Sequence, residues 1–262
     1  MLVGVIHLPA LPGSPRSSLS ASECARSAAT CARVLASAGY DAIIVENFGD
    51  VPFFAGRVPA VTVAAMTACA LAVREAAPDA ALGINVLRND AESALSIAAC
   101  TDARFVRVNV LTGARVTDQG VIQGDAAQAL RLRRALGADS IDLWADVDVK
   151  HSAPLGPPRP IAQEVEDTTK RAMASAVLVT GEGTGKGVDV VKLAAVRRAA
   201  GTTPVLVASG ATIESLPLLA RHASGVIVGS ALRVGGIPGG PIDATLARSF
   251  ADAFRAAFGS GA

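Results

Sequence analysis

Eight short apolar runs recur along the chain, each with a polar or glycine-containing end, and most are followed by a helix-like stretch. They occupy residues 3–7, 42–47, 81–85, 104–109, 141–146, 176–180, 204–209 and 225–229. Strands buried on both faces of a parallel sheet are rich in Val, Ile and Leu, and parallel neighbours need long, usually helical crossovers. The pattern therefore predicts an α/β chain folded as a single (β/α)8 TIM barrel, with residues 1–262 as one domain. Roughly 250 residues is the usual length of that fold.

The polar ends of these runs are where we expect function, because barrels of this type carry their chemistry at the carboxyl ends of the strands. The first five runs end in a histidine, carboxylates and amides, namely His7, Glu46, Asn47, Asn85, Asn109 and Asp146. A lone histidine after an apolar run is more often a hydrogen-bonded core residue than a catalyst. Unpaired buried polar groups are costly, however, so a ring of them pairs internally or meets a ligand.

The densest ionisable cluster follows the fifth run and contains Asp146, Asp148, Lys150 and His151. A desolvated lysine acts as a base or a Schiff-base nucleophile, but an ion pair between Lys150 and Asp146 or Asp148 fits equally well. The two aspartates and His151 are also permissive ligands for a divalent cation such as Mg²⁺. Their spacing is not diagnostic of a metal site, and no cofactor is indicated. We expect Asp146 to point into the barrel and Trp144 to point outward.

Two segments late in the chain, 208–212 and 228–232, consist mainly of small residues. Backbone N–H groups approach anions closely in such segments, and barrel enzymes frequently bind phosphate with the loops after strands 7 and 8. We therefore predict a phosphate site at Ser209, Gly210, Gly229 and Ser230. The alternative is that these residues serve only tight turns. The glycine-rich segment 181–187 either adds a third contact or forms an exposed loop.

Further substrate contacts are predicted from polar side chains of the same strand ends and loops. These are Asn47, Asn85, Arg107, Asn109, Asp118, His151, Thr180 and Thr184. Arg107 either clamps an anionic group of the substrate or faces the surrounding helices. Phe48, Phe53 and Phe54, after the second run, cover a ligand or pack against another subunit, so a homo-oligomer is left open.

The bulk composition excludes several classes of partner. A formal net charge of +1 and an aromatic content of 3% give no case for nucleic acid as a partner. No run approaches the ~18 apolar residues needed to cross a bilayer, so we expect no membrane insertion. The four cysteines, Cys24, Cys31, Cys69 and Cys100, lack zinc-site spacing. We interpret them as buried apolar residues of a cytoplasmic protein.

Several of these segments together make the chain similar to the BtpA/SgcQ family. The matching segments are 5–15, 44–53, 83–90, 105–110, 116–120, 145–151 and 225–230, and the string Glu-Asn-Phe-Gly-Asp-Val-Pro at 46–52 is the most specific. The resemblance implies a TIM barrel related to phosphate-binding enzymes. One branch of the family is named for photosystem I biogenesis, and another lies among sugar-uptake and sugar-metabolism genes. Segment 181–187 departs from the family's Gly-x-x-Thr-Gly pattern, which leaves the sixth-strand contact open.

These observations support two hypotheses about function. The first is an enzyme that acts on a phosphorylated sugar or a phosphoribosyl or nucleoside-like small molecule, by lyase, isomerase or glycosidic-bond cleavage chemistry. Glu46 or Asp146 would move a proton, Lys150 would stabilise an oxyanion or iminium, and His7 would act as partner acid or orienter. The second hypothesis is a non-catalytic assembly or stability factor that retains the barrel. The ring of polar strand ends favours the enzyme.

Overall fold

The computed structural model describes residues 1–181 and 187–259. Its strands are β1 (Leu2–His7), β2 (Ala42–Glu46), β3 (Ala81–Asn85), β4 (Phe105–Val108), β5 (Ala114–Thr117), β6 (Gly120–Gln123), β7 (Asp142–Val147), β8 (Ala153–Pro154), β9 (Ala176–Val179), β10 (Val205–Val207) and β11 (Gly225–Val228). Its helices are α1 (Ala21–Ala38), α2 (Ala60–Ala76), α3 (Ala91–Cys100), α4 (Ala126–Ala135), α5 (Ile161–Glu166), α6 (Val190–Ala200), α7 (Leu216–Leu219) and α8 (Ala244–Phe258).

Eight of these strands close into a parallel barrel in the order β1-β11-β10-β9-β7-β4-β3-β2. Each of the eight apolar runs supplies one barrel strand, so the predicted barrel is confirmed. The helix boundaries follow local signals. Ser20 caps α1 in a capping box with Glu23, and Gly39 ends it in the left-handed conformation at φ 78°.

The barrel interior is filled by one set of alternating strand residues, while the other set packs against the helices. Phe105 and Trp144 form the aromatic part of that interior, with ring centroids 3.7 Å apart and planes 13° from parallel. The expectation that Trp144 points outward was wrong. Residues two apart in a strand share a face, so Trp144 and Asp146 both point inward.

The segment after β4 is a hairpin rather than an irregular loop. Strands β5 and β6 pair antiparallel through a two-residue turn, and β8 adds to β5 to complete a separate three-stranded sheet. Gly120, at φ 94°, closes the turn in a conformation that favours glycine. The hairpin places Asp118 and Gln119 at the carboxyl end of the barrel.

The cysteines only partly follow the expectation. Cys24 and Cys69 are buried, but Cys31 is half-buried and Cys100 is exposed at the end of α3. The expectation that Cys100 is buried was therefore wrong, because this residue lies on the exposed side of α3. Within the described ranges, the helices are too short or too polar to cross a membrane.

We predict that Gly83→Ala destabilises the barrel. A Cβ atom at position 83 would lie 2.3 Å from Cε2 of Phe105, so the ring that stacks on Trp144 would have to move. Overpacking of this kind costs about 1–3 kcal/mol of unfolding free energy, which urea denaturation measures. Gly56→Ala is the matched control, since a Cβ there meets no heavy atom within 4 Å. Equal stability of the two variants would contradict the prediction.

Candidate active site

A cavity of about 570 Å³ opens at the carboxyl end of the barrel, where the sequence predicted the site. The predicted site residues that line it are His7, Glu46, Arg107, Asn109, Asp118, Lys150, His151, Ser209, Gly210, Gly229 and Ser230. They come from loops and strand ends on all sides of the barrel. The fold therefore gathers side chains that are up to 223 residues apart in the chain into one enclosed space.

Arg107, which lines the cavity, forms a buried ion pair with Asp146, which lies behind the cavity wall. The Nη2 and Nε atoms of Arg107 donate to Oδ2 of Asp146 at 3.1 and 3.2 Å, and Asn109 Nδ2 donates to the same oxygen at 2.6 Å. Asn85 Nδ2 donates to the backbone carbonyl of Arg107 at 3.0 Å. Arg107 therefore faces the barrel interior and not the helices. Asp146 is covered completely and does not line the cavity.

Glu46 is the carboxylate that reaches the cavity surface. It lies level with Asn85 and Arg107 in the strand register. Its Oε2 atom is 3.9 Å from Nη1 of Arg107, and its Oε1 atom is 3.8 Å from Nε2 of His7. Burial raises the pKa of Glu46, and the positive charge of Arg107 only partly opposes this. A carboxyl group whose pKa is raised by burial keeps its proton to higher pH than an exposed one, as a group that accepts and returns a proton requires.

His7 is held as a neutral imidazole beside Glu46. Its Nδ1 atom accepts the backbone N–H of Gly239 at 3.2 Å, and its ring stacks on Phe48 with centroids 4.3 Å apart. Burial lowers the pKa of His7 well below its ordinary value, and the nearby charges of Arg233 and Lys150 lower it further. Because Nδ1 is an acceptor, the ring hydrogen is assigned to Nε2, which faces the carboxyl group of Glu46.

Lys150 extends across the cavity toward the predicted phosphate loops. Its Nζ atom donates to Oγ of Ser209 at 3.0 Å, and it has no ion pair within the described part of the chain. Its backbone is also fixed, since the N–H donates to Thr180 Oγ1 at 3.0 Å and the carbonyl accepts from Arg88 at 2.8 Å. Burial lowers the pKa of Lys150, and the positive charge of Arg107 lowers it further.

Asp148 turns away from Lys150 and pairs with other cations. Its Oδ2 atom accepts from Lys192 Nζ and its Oδ1 atom from Arg115 Nη2, each at 2.5 Å. Burial would raise the pKa of Asp148, but the bonds to Lys192 and Arg115 outweigh it and lower the pKa. Within the described residues, Lys150 forms an ion pair with neither Asp146 nor Asp148, the two partners that the sequence left open. Across residues 1–181 and 187–259, no group of three or more His, Cys, Asp or Glu side chains could hold a metal ion.

The loops after β10 and β11 form the end of the cavity nearest Lys150. Within the described ranges, the backbone N–H groups of Gly210, Ala211 and Ser230 have no hydrogen-bond acceptor. Gly210 has φ 78°, and a Cβ at Gly229 would lie 3.1 Å from the ring of His7, so both positions favour glycine. Because α7 has only four residues, these loop amides, rather than a long helix dipole, would bind an anion here.

Several predicted contacts lie behind the cavity wall and hold its loops together. Asn47 accepts the backbone N–H of Leu87 at 2.7 Å and donates to Asp50 at 3.1 Å, while Asp50 accepts the N–H of Leu11 at 2.8 Å. The string at 46–52 thus joins the loops after β1, β2 and β3. Asn85, Asp146 and Thr180 lie behind the wall in the same way. Thr184 lies outside the described residues.

Arg233 supports the candidate site from outside the cavity, and the sequence analysis did not single it out. It is buried beneath the loop after β11 and donates to the carbonyl groups of Val5 at 3.1 Å and Gly240 at 2.8 Å, and also to that of Gly229. These bonds shape the predicted phosphate loop from behind. A single arginine outside any recognisable motif gives no sequence signal, because its importance depends on distant backbone carbonyls.

Solved structures with the same architecture include enzymes whose names contain phosphorylated compounds. Orotidine 5'-phosphate decarboxylase from Pyrococcus horikoshii has a TM-score of 0.60 at 14% identity, covering 97% of this chain and 99% of that one. N-(5'-phosphoribosyl)anthranilate isomerase from Pyrococcus furiosus has a TM-score of 0.60 at 15% identity, covering 98% and 99%. At such low identity these similarities establish the TIM-barrel fold alone.

Curated sequences give closer relatives. Photosystem I biogenesis protein BtpA of Synechocystis is 42% identical over 252 residues, covering 96% of this chain and 87% of that protein. An uncharacterized protein of Thermococcus kodakarensis is also 42% identical, covering 87% of this chain and 85% of its own length. The sequence profile of the BtpA family matches residues 1–256. The chain therefore belongs to the BtpA family.

Proposed function

We propose that this protein is an enzyme that acts on a small phosphorylated substrate, either a sugar phosphate or a phosphoribosyl-like compound. The observation that carries the proposal is the placement of Lys150 and Glu46 in one cavity, with Lys150 bonded to Ser209 beside the unpaired loop amides. Burial raises the pKa of Glu46 and lowers that of Lys150, and ionisable groups shifted in this way within a cavity are typical of active sites. The names of the two structural neighbours agree with this substrate class.

Phosphate would bind at the loops after β10 and β11. The amides of Gly210, Ala211 and Ser230 would donate to its oxygens, and Ser209 would add a hydroxyl. Lys150, which lies 3.0 Å from Ser209 Oγ, would supply a positive charge to the phosphate or to an oxyanion that forms during the reaction. The position of the phosphate would then orient the rest of the substrate across the barrel toward Glu46.

Glu46 would transfer the proton in a lyase, isomerase or glycosidic-bond cleavage reaction. Of the two carboxylates considered, Asp146 has both oxygens engaged by Arg107 and does not line the cavity, whereas Glu46 does. Asp146 would act as a positioning residue that keeps the guanidinium of Arg107 near Glu46. The neutral imidazole of His7 lies beside the carboxyl group, with Nε2 3.8 Å from Oε1 of Glu46, and would limit the directions in which that group can turn.

The second candidate is a non-catalytic assembly factor, favoured by the name of the Synechocystis relative. Fold alone does not decide between the two, because one fold supports many functions. The buried charges at the barrel mouth favour the enzyme. Burying Glu46, Lys150 and Arg107 costs folding free energy, and such a cost is typically retained where the groups serve a ligand.

Inorganic phosphate and ribose 5-phosphate are expected to raise the thermal midpoint of the protein, because a ligand that binds only the folded state stabilises it. Gly210→Val should abolish the shift, since it adds a branched side chain at a position that lines the cavity and strains a backbone with φ 78°. Gly113→Val is the matched control, as Gly113 also has positive φ but no heavy atom would lie within 4 Å of its Cβ. A shift that survives in the Gly210 variant would place the anion elsewhere. Absence of any shift with the unaltered protein would count against the proposed function.

We expect Glu46→Gln to abolish turnover of an identified substrate while stabilising the fold at neutral and alkaline pH. Burial raises the folded-state pKa of Glu46, so its contribution to stability is present below the unfolded pKa and is lost as pH rises through the folded pKa. Glutamine does not ionise. The free energy of unfolding of the variant, relative to the unaltered protein, should therefore increase with pH in urea denaturations from pH 4 to pH 9.

The exposed Glu75 on α2 supplies the control. Glu75→Gln should leave turnover and the pH profile of stability unchanged, because the charge of an exposed carboxylate is screened by solvent. If the stability difference for Glu46→Gln does not change with pH, the carboxyl group is not desolvated and the assigned proton-transfer role fails.

A further inference from the structure

The cavity has a second polar end, opposite the predicted phosphate loops. In the barrel order, β10 and β11 lie across from β3 and β4. The hairpin that follows β4 carries Asp118 and Gln119 in its turn, and both line the cavity. The cavity thus extends from Ser209, Gly210 and Lys150 at one side to the hairpin turn at the other.

An apolar wall connects the two ends. Phe48 and Phe53 both line the cavity, as do Val51 and Leu87. The chain has only seven phenylalanines, so two of them in one cavity wall is a notable concentration. Phe54, directly after Phe53, does not line the cavity and is 55% exposed. A ribose phosphate has much less apolar surface than this wall and would leave most of it uncovered.

The hairpin end presents hydrogen-bond acceptors. The carboxylate of Asp118 accepts the side-chain N–H of Gln119 with Oδ2 and retains Oδ1 as an acceptor, while Oε1 of Gln119 is buried without a hydrogen-bond partner among the described residues. An unpaired buried acceptor is costly, and a ligand N–H group that reaches it removes that cost. The carboxylate of Asp118 also repels phosphate from this end, although the nearby Arg88 offsets part of that charge. A ligand would therefore bind in one direction only.

We propose that the cavity takes a 5'-phosphorylated ribosyl compound with a planar nitrogen heterocycle, such as a nucleoside 5'-monophosphate. The phosphate occupies the loops after β10 and β11, the ring packs on Phe48 and Phe53, and the N–H edge of the ring donates to Asp118 and Gln119. The volume of about 570 Å³ lies in the range of cavities that enclose small organic ligands. This inference rests on the proposed function and names its substrate class.

The test is isothermal titration calorimetry with inorganic phosphate, ribose 5-phosphate and the 5'-monophosphates of uridine, cytidine, adenosine and guanosine. At least one nucleotide should bind about tenfold or more tightly than ribose 5-phosphate, because base–aromatic contacts contribute that much in other proteins. If ribose 5-phosphate binds as tightly as every nucleotide, the inference is overturned while the proposed function stands. If none of these compounds binds, both are overturned.

Variants separate the ring contact from the phosphate contact. Phe53→Ala should weaken nucleotide binding about tenfold and leave ribose 5-phosphate within a factor of two. Phe54→Ala is its matched control and should change neither affinity. Gln119→Ala should weaken binding of the preferred nucleotide about tenfold. Gln123→Ala, at an exposed position on the same hairpin, is its control and should leave that affinity unchanged. Equal effects of Phe53→Ala on nucleotide and ribose 5-phosphate would overturn the placement of the ring.

Discussion

The buried pair of Arg107 and Asp146 is the interaction on which the barrel mouth depends. Two charges removed from water must satisfy each other, and here the guanidinium, the carboxylate and Asn109 do so within about 3.2 Å. The pair spans two neighbouring strands, β4 and β7, and fixes the direction of both side chains. Because Arg107 is held by Asp146, its remaining nitrogen is directed toward Glu46 at 3.9 Å. The environment of the proposed proton-transfer group therefore follows from a contact outside the cavity.

The barrel was predictable because its signal repeats. Eight runs such as 42–47 and 225–229 each carry the composition of a doubly buried strand, so an error in one run would not change the architecture. The polar strand ends were also predictable, since Glu46 and Asn85 interrupt otherwise apolar runs. Their shared position in the strand register brings them together at one end of the barrel.

Other features could not be predicted, because they depend on distances that a single sequence does not carry. The sequence does not decide the partner of Lys150. In the structure, the turn after β7 directs Asp148 to Lys192 and Arg115 and not to Lys150. Arg233 donates to backbone carbonyl groups, and because every residue has one, no sequence pattern marks this interaction. The short strands β5 and β6 are mostly polar or exposed, so they lack the apolar alternation that identifies a strand.

The hairpin of β5 and β6 has a consequence for how such a barrel diversifies. Its strands belong to a sheet separate from the barrel, and only its turn reaches the cavity. Residues 118 and 119 take no part in the strand pairing of the barrel, so they can be exchanged without breaking a hydrogen bond between barrel strands, although a change at Asp118 would alter the charge near Arg88. Connecting segments tolerate sequence change better than the barrel strands that they join, so a change in this turn is a route by which ligand preference could shift while the barrel stays as it is. In evolutionary terms, the hairpin would be a replaceable module of the proposed site.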